Sequence, residues 1–134
     1  MHINHENVDL IEFPYVHDAI FDGFRYDYDS KKIYLSLCHP YLKMTINCEL
    51  NDVLFFEFQG CSFWGGGNAI YYASCYKEHD FLQRVQERVR VETTEHPSWD
   101  NIDENIHYIV FELIVNSGDV LLVACESVDC QNAG

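Results

Sequence analysis

The chain has 134 residues, 48% of them hydrophobic, and carries nine Phe, nine Tyr and two Trp. That length fits one domain with its own apolar core, and that hydrophobicity excludes extended disorder. Its 22 acidic and eight basic side chains leave a net charge of −14, which argues against nucleic acid or an anionic membrane as a partner and favours a basic protein.

Residues 1–12 are polar and unpatterned and read as a loose end or a short edge segment. From Ile20 the chain alternates: Phe24, Tyr26 and Tyr28 face one way, Arg25 and Asp27 the other. Asp29-Ser30-Lys31-Lys32 makes a turn, after which Ile33, Leu35 and Leu37 alternate with Tyr34 and Ser36, so the two runs form a hairpin. Pro40 ends the second strand. Met44, Ile46, Cys48 and Leu50 define a third, and 53–58, apolar on nearly every residue, a fourth that reads as covered on both faces. A glycine-rich loop at 60–68 leads to a Tyr-rich strand at 69–76.

The spacing of Phe81, Val85 and Val89 predicts a helix over 80–90, with Asp80 as its cap and Gln83 as the capping-box partner. Residues 91–104 read as a long acidic loop. A hairpin follows, 106–115 returning at 120–125 through Asn116-Ser117-Gly118-Asp119, and the tail 129–134 reads as a second loose end. The expectation is a single domain over 1–134, mainly β with one α-helix (α+β). Its roughly seven strands would form a two-layer β-sandwich or a partly open antiparallel barrel.

No motif here carries catalysis. Gly65-Gly66-Gly67 is followed by a strand and no lysine, so it fails as a phosphate loop. Ser62 and Cys61 lack the small residue and the helix that a nucleophile elbow requires. The seven His and six Cys show no C-x-x-C and no zinc spacing, so neither metal nor cofactor is expected. The opening residues carry no basic, apolar signal segment, so a cytoplasmic location with reduced thiols is expected.

Two candidate sites remain. Glu92, Glu95, Asp100, Asp103 and Glu104 surround Trp99, pairing carboxylates with an aromatic anchor as a partner-binding surface would. Glu57 and Glu112 stand inside apolar strands. If both faced a barrel interior, they and Trp64 would line a small-molecule pocket, and the protein would then be a ligand binder or an enzyme.

Three motifs carry a resemblance. They are His17-Asp18-Ala19 before the first strand, Phe58-Gln59-Gly60-Cys61-Ser62-Phe63-Trp64-Gly65 after the fourth, and Phe111-Glu112-Leu113 through Asn116-Ser117-Gly118-Asp119 to Cys125-Glu126. In this pattern the chain resembles small bacterial β-rich immunity proteins of polymorphic and contact-dependent toxin systems. The resemblance implies a non-enzymatic protein that neutralises a basic toxin domain by binding it, and it transfers no active residue.

Overall fold

The computed structural model describes residues 1–60, 67–99 and 105–133. In chain order the elements are β1 (His2–Asn4), β2 (Ile20–Asp27), β3 (Lys32–His39), β4 (Met44–Asn51), β5 (Phe55–Gln59), β6 (Ile70–Tyr76), α1 (Asp80–Glu95), β7 (Ile109–Val115), β8 (Val120–Cys125) and β9 (Ser127–Ala133). They form two antiparallel sheets, one ordered β1-β9-β4-β3-β2 and the other β5-β8-β7-β6. The sheets do not close on each other, so the sandwich is the architecture adopted.

Alternation explains the packing. Ile33, Leu35 and Leu37 of β3 and Ile46, Cys48 and Leu50 of β4 point inward. They meet Ile109, Phe111, Leu113 and Val115 of β7 and Leu121, Val123 and Cys125 of β8. The opposite face of β7 and β8 supplies Val110, Leu122 and Ala124 to a second, smaller core, where Phe81 and Val85 of α1 dock. β7 and β8 are therefore the strands covered on both faces. β5 is an edge strand, contrary to the reading of 53–58: Phe56 and Phe58 pack toward the main core and Phe55 toward α1, but all three remain partly exposed.

The sheets are sewn together at their corners. The chain passes from β8 to β9 through Glu126 alone. The Glu126 amide donates to Asn51 O at 3.0 Å, and the Leu54 amide to Ala124 O at 2.8 Å, so the β4–β5 and β8–β9 crossings brace each other. On the other side Ile20 bridges Ala69, just ahead of β6.

The N-terminal segment supplies β1 as a short edge strand, one of the two readings for it, and the tail expected to be loose is β9; together they account for nine strands among the described residues against the seven expected. β9 lies between β1 and β4, with Val128 and Cys130 in the core. The mixed run at 127–132 hid this, because only Val128 and Cys130, set between Ser127, Asp129 and Gln131, carry an apolar signal. The helix also outruns its prediction, ending at Glu95 instead of residue 90, so Glu92 and Glu95 are helical. Its N-cap is His79, not Asp80. Among the described residues no helix is long and apolar enough to cross a membrane.

Candidate functional site

The last turn of α1 gathers the described part of the acidic surface. The His96 amide donates to Glu92 O at 2.8 Å and closes the helix. The Trp99 amide then donates to His96 O at 2.9 Å, turning the chain back on itself. That turn lays the Trp99 indole flat on the His96 imidazole, with centroids 3.9 Å apart and planes 14° apart. Trp99 nevertheless stays 55% exposed. Beside the stack, one ligand atom each from Glu92, Glu95 and His96 lie within 4.8 Å of one another. Two carboxylates and an imidazole are ordinary donors to a divalent cation, yet among the described residues no fourth donor joins them.

The position of these carboxylates is electrostatically costly. Helix C-termini carry partial negative charge and favour Lys, Arg or His nearby. The last turn of α1 has no basic residue. Asp100, Asp103 and Glu104, the remaining members of the predicted surface, lie outside the described residues, as do Trp64, Cys61 and Ser62.

Glu57 and Glu112 do not face the interior between the sheets. Both sit on the α1 side of the second sheet, on one cross-strand row: Glu57 and Glu112 each pair with Leu122 of β8 from opposite sides. Each has its own partners. Arg84 of α1 lies 3.6 Å from Glu57, and Gln59 Nε2 donates to Glu57 at 2.9 Å. Tyr72 OH donates to Glu112 Oε1 at 2.7 Å, and His79 Nε2 lies 3.2 Å from Glu112 Oε2. His79 Nδ1 meanwhile accepts the Phe81 amide at 3.0 Å, which places the ring proton on Nε2, directed at Glu112. Tyr76 bonds to the Tyr72 hydroxyl, and its own hydroxyl is held above the ordinary tyrosine value, by burial first and then by the Glu112 charge.

This network adjoins a groove of about 790 Å³ beside β6, walled by residues that include Glu12, Tyr15, His17, Tyr71 and Tyr72. His17 Nδ1 binds Tyr71 O at 2.8 Å, and its ring meets those of Tyr15 and Tyr71. The sequence reading missed Tyr15, Tyr71, Tyr72 and His79 as a group. Tyr15 lies far from the other three along the chain, and Tyr72 and His79 meet only through Glu112 of β7. The Tyr71-Tyr72 doublet was the one local signal. His96 was missed because 91–104 was read as loop.

No family model matches the chain, and neither a curated protein nor a solved structure matches it.

Proposed function

We propose that this chain is a non-enzymatic cytoplasmic binding protein of the immunity type, which neutralises a basic toxin domain by covering it. The observation that carries the reading is Trp99, left largely exposed on His96 beside Glu92 and Glu95 in a chain of net charge −14. An exposed, pre-oriented indole is an interface anchor, and surrounding carboxylates steer a cationic surface toward it. Two carboxylates in the last turn with no Lys or Arg there to offset them break a local stability rule, and such breaches concentrate where function requires them.

The test begins with the toxin domain that this reading expects to be encoded beside this chain. Co-expression of the wild-type chain should rescue growth. Trp99→Ala combined with Glu92→Gln and Glu95→Gln should lose rescue and bind at least tenfold more weakly, with a flatter dependence on salt. A triple variant that binds as tightly as wild type removes the assigned surface. A gene neighbourhood without any secreted protein bearing a toxin domain removes the immunity reading.

One observation favours a second reading, small-molecule binding. The groove beside β6 is lined by Tyr15, Tyr71, Tyr72 and the Glu12 carboxylate, a combination suited to an organic cation. Titration of aryl-ammonium compounds against the wild type and Tyr71→Ala should show saturable binding that the substitution abolishes. Identical weak responses from both proteins would dismiss this reading.

A further inference from the structure

Cys48 of β4 and Cys130 of β9 stand directly opposite in register, with their sulfurs 3.1 Å apart and both side chains buried. The backbone makes this closeness inherent. The Cys130 amide donates to Met1 O at 2.8 Å, and Cys130 O accepts from Met1 N at 2.9 Å, so both polar groups of Cys130 point toward β1. Toward β4 the pair is therefore of the non-hydrogen-bonded kind. Such pairs bring their Cα atoms to about 4.5 Å, inside the window of about 4.4–6.8 Å that a disulfide spans.

We propose that Cys48 and Cys130 are an oxidisable pair that closes to a cross-strand disulfide when the folded protein meets a peroxide. The Cys130 thiolate attacks one peroxide oxygen, the O–O bond breaks, and the other oxygen leaves as hydroxide, which takes up the proton lost by the Cys130 thiol and becomes water; Cys130 is left as a sulfenic acid. The Cys48 thiol then attacks that sulfur, the S–S bond forms, and the hydroxyl departs as water with the Cys48 proton. In sum two thiols and one hydrogen peroxide give one disulfide and two waters; the sulfurs lose the two electrons that the peroxide gains.

The assignment of Cys130 as the attacking thiol rests on its surroundings. Both cysteines border surface grooves, Cys130 one of about 420 Å³ and Cys48 one of about 470 Å³, so access does not choose between them. The hydrogen bond from Cys48 holds the Cys130 thiol below its ordinary value, whereas the same bond and then burial push Cys48 upward. The Met1 ammonium, which donates to Cys130 O at 2.9 Å, also favours a thiolate at Cys130. Cys75, at about 12, and Cys125 are raised mainly by burial and suit neither role. Once formed, the bond would close the chain across positions 82 apart, restricting the unfolded ensemble.

The deciding experiment treats native wild-type protein with equimolar hydrogen peroxide, alkylates the remaining thiols and maps the peptides. The expected result is a Cys48–Cys130 linked peptide, loss of two titratable thiols, a higher urea midpoint, and reversal of all three by dithiothreitol. Recovery of Cys130 only as sulfinic or sulfonic acid, or a link from Cys130 to any other cysteine, overturns the proposal. Cys48→Ser should leave a dimedone-reactive sulfenic acid at Cys130, and Cys130→Ser should give no link. If either variant fails to fold, the wild-type peptide map still decides.

Discussion

His79 uses both ring nitrogens, one to cap α1 through the Phe81 amide and the other to hold Glu112 on β7. A single side chain thus sets where the helix begins and where it sits on the sheet. His79→Ala should lower stability by about 1–2 kcal/mol, the scale of a lost N-cap, and His79→Asn, which can still cap, should recover most of that loss in urea unfolding. Asp129 is a second residue with a double role, accepting from His2 at 2.6 Å and from Asn51 at 2.8 Å. Burial opposes its charge, but these hydrogen bonds prevail and hold its carboxyl below the usual range. A depressed carboxyl stabilises the fold above its unfolded value, near pH ~3.9, and that contribution disappears as pH falls through the folded value. Asp129→Asn should therefore show a shallower loss of urea midpoint on acidification below about pH 4 than the wild type. Neither role was legible in the sequence, because each partner lies on a different element and no local spacing links them.

At the level of elements, the C-terminal turn of α1 carries opposing demands. Glu92 and Glu95 confront the negative end of the helix dipole with no Lys or Arg in that turn and only the His96 ring beside them. Glu92→Lys with Glu95→Lys should raise stability by about 0.3–1 kcal/mol per site while weakening association with a basic partner. Thermal unfolding and binding measured on the same variant separate the two effects, and parallel loss of both would count against the assigned surface. The sequence placed the start of this helix within one residue, since Phe81 and Val85 announce a buried stripe. It lost the end, since acids there look like loop. Most strands were legible for the same reason that their cores are: β3 and β4 alternate cleanly between inward aliphatics and outward polar residues. Continuous apolar runs were ambiguous. Phe55, Phe56 and Phe58 proved to belong to an edge strand with both faces partly covered, whereas β7 and β8 are sandwiched between the main core and α1.

For the molecule as a whole, a net charge of −14 on 134 residues imposes self-repulsion on the compact state. Raising monovalent salt from about 0.01 M to about 0.15 M shortens the Debye length from about 30 Å to about 8 Å and should raise the urea midpoint; a fall would show that specific ion pairs outweigh the general repulsion. Class and two-layer architecture were legible from strand count, aromatic content and the lone amphipathic helix. The choice of sandwich over barrel was not, because it depends on corner contacts such as Glu126 with Asn51 that carry no local signature. The antiparallel match of β1 with β9 sets Met1 beside Cys130. A short peptide bridge could therefore join the two termini without disturbing either sheet. A circular permutant bridged in this way and reopened at the exposed Asp29-Ser30 turn should fold with the wild-type circular-dichroism spectrum. That rearrangement would also put two cargo proteins, fused at the new ends, on the β2–β3 hairpin side, at the opposite edge of the sheet from β1.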